Sequence, residues 1–416
     1  MFDTKKQKET AILIGIDDGT IDITNSLEEL KNLTQTAGAE VLAYITQKRE
    51  RANPATYIGK GKVDEILQMK LELKPDMLIF NDELSPSQIR NLSNALDLPI
   101  IDRTRLILDI FATNAKTKEG KIQVELAQLK YNLTRLTGLG KSLSRLGGGI
   151  GTRGPGETKL ESDRRHIRTR ISHLSNELKD IAQNRENMRR KRSKNQVFTA
   201  ALLGYTNAGK SSIMNLLTDA GTLAENKLFA TLDTTIRAFE ISEGREAVLT
   251  DTVGFIEKLP HHLVTSFKTT LEELKYADVL LHVVDASSVM RENHISVVNK
   301  TLKELKIEGK PIILVLNKID KEVEFPLPSD LNASHSVAFS AKTGQGQEKL
   351  LEILQNIMQE GLSELKILVP YANGEVSAFI HENCEILESR HIDEGSFFKI
   401  LADNGTRERL KEYAEV

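Results

Sequence analysis

The chain has 416 residues, 39% of them apolar and 28% charged, and its 56 Lys and Arg against 59 Asp and Glu leave a formal net charge of -3. That length predicts two to four domains with ordinary cores, and the near balance of charge excludes a globally basic nucleic-acid coat, so such a partner must be met by local clusters. A single cysteine, Cys384, excludes an intramolecular disulfide; the polar, lysine-rich stretch Met1 to Thr10 and the lack of any apolar run near the ~20 residues of a membrane span predict a soluble, cytoplasmic protein with no membrane partner.

Residues 1–112 are expected to form a small α/β domain. Apolar runs Ala11 to Ile16, Val41 to Ile45, Met77 to Phe80 and Leu98 to Ile101 alternate with helix-like stretches after Ser26, Gly61 and Ser85, the pattern of a parallel sheet. Ser26-Leu-Glu-Glu and Ser85-Pro-Ser-Gln both read as helix starts, the second with proline at the first helical position. Tyr57-Ile-Gly59-Lys60-Gly61-Lys62 is a glycine turn bearing two lysines, in equal measure a strand-to-helix connection or a phosphate contact.

Residues 113–196 are expected to form a helical coiled-coil hairpin. Ile122, Leu126, Leu129, Leu133 and Leu136 step by four and three, as do Ile167, Ile171, Leu174, Leu178 and Ile181, and two such seams should zip together. Between them, eight of the 22 residues from Gly138 to Lys159 are glycine, too many for a continuous helix. This tip carries Lys141, Arg145, Arg153 and Lys159 against Glu157 as its only acid, and residues 160–195 add eleven Lys or Arg to five acids. The pattern suits RNA phosphates better than a mere turn, which would not need so long an insert.

Residues 197–361 carry the chemistry. After the apolar stretch Phe198 to Leu203 comes Gly204-Tyr205-Thr206-Asn207-Ala208-Gly209-Lys210-Ser211-Ser212, a phosphate-binding P-loop whose backbone N–H groups and following helix N-terminus would cradle phosphates. Lys210 would reach the β- and γ-phosphates, and the Ser211 hydroxyl would ligate Mg²⁺. Asp251-Thr252-Val253-Gly254 places a carboxylate at a strand end, facing Mg²⁺ through water, and a glycine N–H able to sense the γ-phosphate. Asn317-Lys318-Ile319-Asp320 is the discriminating signal: a carboxylate at Asp320 can accept guanine's N1–H and 2-amino group, donors that adenine lacks. Ser340-Ala341-Lys342 supplies a loop N–H for guanine O6, and Phe229-Ala230-Thr231-Leu232-Asp233 falls where the first switch of a GTPase belongs. Val279 to Val284 followed by Asp285 imitates an ATPase signature, yet a core strand of the same sheet would look identical.

The position after Gly254, where many GTPases place a water-orienting glutamine, is Phe255, which predicts slow intrinsic hydrolysis. Asn207 is either a K⁺-holding residue, as in the potassium-activated GTPases this loop resembles, or a structural asparagine of the turn. No arginine of the chain is a convincing finger; Arg237 reads equally well as a surface residue. Residues 362–416 read as a small C-terminal α/β domain, with strands at Lys366 to Val369, Glu385 to Leu387 and Phe397 to Leu401 and a helix-like stretch from Gly374 to His381. The scattered histidines show no metal-ligand spacing, and Cys384 is expected in a core or on a surface without a role.

Ile101 to Ala112, Glu119 to Tyr131, Gly148 to Glu157 and Glu161 to Arg165, together with the P-loop and Phe229 to Asp233, resemble the HflX family of ribosome-associated GTPases over nearly the whole chain. The resemblance implies a monomeric translational GTPase that binds GTP or GDP, associates with the large ribosomal subunit and its rRNA, and splits or rescues stalled ribosomes under stress. It implies Thr231 as the first-switch threonine closing over Mg²⁺, which joins Lys210, Gly254 and Asn207 of the motifs above in the expected catalytic set. The chain departs from the pattern at Thr234, where proline is usual, which leaves Thr231, Thr234 and Thr235 as rival switch threonines. Two functions follow: an enzymatic switch on the ribosome, or a nucleotide-regulated RNA-binding factor of large-subunit assembly.

Overall fold

The computed structural model describes residues 8–19, 22–136, 155–194, 197–218, 228–229, 235–242, 244–258, 271–323, 326–360, 363–402 and 404–414. The first 102 residues build β1 (Thr10–Asp17), α1 (Ile23–Thr36), β2 (Glu40–Lys48), α2 (Lys60–Leu73), β3 (Met77–Phe80), α3 (Pro86–Leu96) and β4 (Ile100–Asp102). Their four strands run parallel in the order β2-β1-β3-β4. Helices cover both faces of such a sheet, which is why Ala11 to Ile14 and Met77 to Phe80 are buried without alternation. α3 starts as expected, with Ser85 and Gln88 capping each other reciprocally and Pro86 at its first position. α1 does not. It begins four residues early, where the Asp22 carboxylate accepts from the Thr24 N–H at 2.9 Å, and the Ser26 hydroxyl instead accepts from the Asn81 amide at 2.8 Å. A serine kept for a buried tertiary contact looks the same in sequence as one that starts a helix.

Three helices follow: α4 (Arg103–Asn114), α5 (Lys118–Arg135) and α6 (Pro155–Lys194). Ile122, Leu126 and Leu174 bury one another, with Leu129, Ile171, Leu178 and Ile181 packed around them. Leu133, Leu136 and Ile167 are only half-buried and stand outside that cluster. The seam opens there because the end of α5 is drawn toward β4. The Tyr131 hydroxyl donates to Asp102 at 2.8 Å, and Arg135 pairs with the same carboxylate at 2.6 Å. A second stripe of α5, Val124, Ala127 and Tyr131, joins α4 in the core beneath the first sheet. Lys141, Arg145 and Arg153 of the glycine-rich tip lie outside the described residues.

Next come β5 (Thr199–Gly204), α7 (Lys210–Thr218), β6 (Thr235–Ser242), β7 (Arg245–Asp251), β8 (Val279–Asp285), α8 (Arg291–Glu304), β9 (Ile312–Asn317), β10 (His335–Ala338) and α9 (Gln347–Glu360). The six strands lie in the order β10-β9-β8-β5-β7-β6, all parallel except the antiparallel β6 at the edge. Val279 to Asp285 is therefore a central core strand. The chain closes with β11 (Ser363–Val369), α10 (Gly374–Asn383), β12 (Glu385–Ile392), β13 (Gly395–Ala402) and α11 (Asn404–Leu410), a three-stranded antiparallel sheet in the order β11-β13-β12 against which Cys384 packs. Among the described residues no helix is long and apolar enough to cross a membrane.

Candidate nucleotide-binding site

The carboxyl ends of β5, β7, β8 and β9 converge on one loop, residues 204–209, the place where open parallel sheets bind ligands. Close approach makes two glycines of that loop obligatory. A Cβ on Gly204 would lie 2.1 Å from the Val283 carbonyl oxygen of the neighbouring strand, and one on Gly209 would lie 2.1 Å from the Asn317 side-chain nitrogen. Between them Asn207 adopts φ 60°, a left-handed conformation that asparagine tolerates better than other side chains. Its carbonyl accepts from Lys318 Nζ at 2.7 Å, and the same ammonium pairs with Asp285 at 2.7 Å. Asp285, which sequence alone could assign only to a core strand, thus steadies the loop through Lys318.

Lys210 opens α7 and is 6% exposed, with its ammonium donating to the carbonyls of Gly204 at 3.1 Å and Tyr205 at 2.9 Å. Burial pushes its pKa down to about 8, against the opposing pull of Asp251. One residue on, the Ser211 hydroxyl donates to Asp251 Oδ2 at 2.8 Å, with Asp251 itself 1% exposed. A hydroxyl and a carboxylate meeting at the mouth of the loop are hard oxygen donors of the kind that share a Mg²⁺ with water. Ser212, Thr206 and Ala208 complete the loop and the first helical turn. Gly254 closes it from above, for a Cβ there would come within 3.0 Å of Lys210 Nζ and of Thr206.

Asn317 clasps two loops at once. Its Nδ2 donates to the Ala208 carbonyl at 2.8 Å and its Oδ1 accepts from the Ala341 N–H at 3.0 Å. That N–H, expected to face guanine O6, has an intramolecular partner here. Asp320 stands exposed at the rim, where the Ser340 hydroxyl donates to it at 2.6 Å and thereby holds its carboxyl below the usual range. Ile319 bonds back to the Phe339 carbonyl at 3.3 Å, and Lys342 is exposed beyond it.

Three family models match consecutive stretches: residues 24–112 that of a GTP-binding GTPase N-terminal region, 114–192 that of a GTP-binding GTPase middle region, and 199–318 that of a 50S ribosome-binding GTPase. The chain is 48% identical over 414 residues to GTPase HflX of Lacrimispora saccharolytica, a match covering 97% of this chain and 98% of that one. It is 41% identical over 385 residues to GTPase HflX of Escherichia coli, covering 92% and 90%. The chain belongs to the HflX family of GTPases. Among solved structures, that of SsGBP with GDP overlaps 85% of the chain and 99% of its own at 26% identity, with a TM-score of 0.48. The sequence match decides the family, and that looser overlap adds nothing to it.

On this HflX chain, Phe255 is 3% exposed and packs among Leu271, Leu274 and Val298. Its N–H donates to the Gly204 carbonyl at 3.1 Å and its carbonyl accepts from the Thr206 N–H at 2.8 Å, so the backbone fastens this position to the P-loop while the ring faces the core. Thr252 and Val253 are buried as well, Thr252 donating to the Leu202 carbonyl at 2.7 Å. Phe229 is held from outside the sheet: its ring meets Phe111 edge-on, centroids 4.6 Å apart, and its carbonyl accepts from Asn114 at 2.9 Å. Ala230, Thr231, Leu232 and Asp233 lie outside the described residues, as does Thr234. Lys60 and Lys62 occupy the first turn of α2, where Lys62 pairs with Glu65 at 2.8 Å; Lys159 is in the first turns of α6 and its side chain lies outside the described residues. Arg237 is exposed on β6. The loop-steadying role of Asp285 could not be read from the sequence, nor could those of Glu29 and Glu257, which bond to the Tyr205 hydroxyl, and of Arg103, which bonds to both of them. No local pattern marks these residues, because their partners are 33 to 176 positions away.

Proposed function

We propose that this protein binds GTP at the P-loop, hydrolyses it to GDP and phosphate, and uses that cycle on the large ribosomal subunit to split or rescue stalled ribosomes under stress. The observation that carries the reading is the meeting of Lys210, Ser211, Asp251, Asn317 and Asp320 around one glycine-flanked loop in a chain of the HflX family. Lys210 neutralises β- and γ-phosphate oxygens, and the low dielectric around it strengthens that attraction. Ser211, Thr231 and Asp251 would hold Mg²⁺, whose charge would help neutralise the phosphate oxygens. Asp320 would accept the guanine N1–H and 2-amino group, with Asn317 keeping the P-loop in register through the Ala208 carbonyl, and the Ala341 N–H would exchange its bond to Asn317 Oδ1 for one to O6. Gly254 donates to the γ-phosphate.

In hydrolysis a water oxygen bonds to the γ-phosphorus while the bond to the β–γ bridging oxygen breaks, and the water proton leaves with the phosphate. No side chain at position 255 orients that water, so the intrinsic rate is slow and the ribosome stimulates it. Asn207 would hold K⁺, which would supply a second positive charge against the developing negative one. Lys60, Lys62, Lys141, Arg145, Arg153 and Lys159 contact rRNA phosphates, and the protein works as a cytoplasmic monomer. Sedimentation of purified 70S ribosomes with the protein and either GTP or GDP tests the reading. Free subunits appearing only with GTP are expected; binding confined to immature large subunits, with no splitting, would replace it by an assembly role.

A further inference from the structure

Glu257, three residues beyond Gly254, is gripped at both ends of its backbone. Its N–H donates to the Tyr205 hydroxyl at 2.8 Å, and its carbonyl accepts from the Arg103 guanidinium at 3.3 Å. The Tyr205 hydroxyl donates in turn to Glu29 Oε1 at 2.5 Å, and Glu29 Oε2 pairs with Arg103 at 2.5 Å. Four residues from the P-loop, the segment after Gly254, α1 and the start of α4 thus close a ring. Arg103 is 2% exposed and is anchored further, donating to Asn81 Oδ1 at 3.1 Å beside the Asn81 to Ser26 bond. The Tyr205 ring stacks on His294 with centroids 3.9 Å apart and planes 15° apart, so its hydroxyl points one way only.

We infer that Glu29 and Arg103 are positioning residues for the nucleotide site, which read and bias the conformation of residues 254–257 through the Tyr205 hydroxyl. The inference rests on the GTPase reading above. A buried ion pair stabilises little in net terms once desolvation is counted, but it closes only in one geometry. Here that geometry includes the orientation of the Glu257 peptide. Gly254 already borders the loop, a Cβ there coming within 3.0 Å of Lys210 Nζ, and any adjustment it makes to a γ-phosphate is passed along the few bonds to Glu257, so ring closure and that phosphate act on the same segment. By linkage, whatever nucleotide binding does to the ring, the ring does to the relative affinity for GTP and GDP.

Tyr205→Phe removes one hydroxyl and keeps the stacked ring, and Glu29→Gln keeps the shape and removes the charge. Affinities for GDP and for a non-hydrolysable GTP analogue, measured for wild type, both variants and the double variant, should show the GTP-to-GDP preference changed by about fivefold or more in each single variant. The double variant should show no further change, because both substitutions open the same ring. Folded single variants with the wild-type preference, or strictly additive effects, would overturn the inference and leave the GTPase reading standing. Wild-type protein that bound neither nucleotide would sink both. A second measurement needs no variant: hydrogen exchange along residues 23–36 should differ between the GDP-bound and analogue-bound protein, and identical exchange would refute the coupling.

Discussion

Asp320 is a carboxylate at the rim of the site, held below the usual range chiefly by the Ser340 hydroxyl, with the charges of Lys342 and Lys321 adding to the effect. Asp320→Asn sets an amide N–H₂ against guanine's own donors, and sites built on such bonds discriminate by on the order of 10⁴-fold. The variant should lose GTP and gain xanthosine triphosphate; competition binding with the two nucleotides checks this, and unchanged GTP affinity would refute the guanine assignment. Lys210 gives a pH dependence. With its pKa depressed by burial to about 8, a bound polyphosphate raises it again, so binding takes up a proton above that pH and none below. Nucleotide affinity should be flat up to about pH 7.5 and fall on going higher, by at most tenfold per pH unit. Titration calorimetry in buffers of different ionisation enthalpy would detect the proton, and an affinity that rose with pH would contradict the assignment. For Asn207 the left-handed backbone already accounts for the residue without an ion. The potassium proposal therefore stands on kinetics: basal hydrolysis faster in KCl than in NaCl at equal ionic strength, with the difference gone in Asn207→Ala. Equal rates for the wild type would leave Asn207 as a loop residue only.

At the scale of elements, the hairpin of α5 and α6 separates two tasks. Its stem is a packed seam at Ile122, Leu126 and Leu174, and Arg185 of α6 pairs with Glu119 of α5 at 2.7 Å, which ties the stem near its base. Under the proposed ribosome role, shortening Gly147 to Gly156 in the glycine-rich tip to a four-residue turn should leave the seam, nucleotide binding and basal hydrolysis intact while splitting is lost, since the glycines would allow close backbone approach to RNA and the basic side chains would carry phosphate contacts. Splitting at the wild-type rate would reduce the tip to a connector. The seam and the P-loop were both legible in the sequence, because helical periodicity and a glycine-lysine spacing are local patterns. The start of α1 and the opening of the seam beyond Leu129 were not. Ser26 is claimed by Asn81, and the end of α5 by Asp102, and these are tertiary competitors.

Across the whole molecule, one core is shared by parts that the sequence presents as separate. Leu27, Leu30, Leu106 and Phe111 of the first unit lie in the same cluster as Tyr205, Leu228, Phe229, Val253 and Ile256, the residues that flank the nucleotide loop. Lys258 adds an ion pair to Asp82 at 2.6 Å across the same boundary. Phe111→Ala removes a ring that is 1% exposed and should cost about 3–5 kcal/mol. Because the core is continuous, denaturant unfolding followed by a probe in the first sheet and by one in the second should shift together. A shift confined to the first sheet would show that the two cores are energetically independent.

The motifs of the nucleotide site, the order of strands and helices around it and the membership of the family were written in the chain itself, since each motif is a short run whose chemistry few residue types can supply and the family match is carried by identity along nearly the whole chain. What the tertiary structure alone decided is how that site is held: Asp285 on Lys318, Asn317 between two loops, and Glu29 and Arg103 around the Glu257 peptide. These side chains are ordinary by type and acquire their roles only from partners far along the chain, for a buried charge or amide must find a hydrogen bond wherever the fold places one.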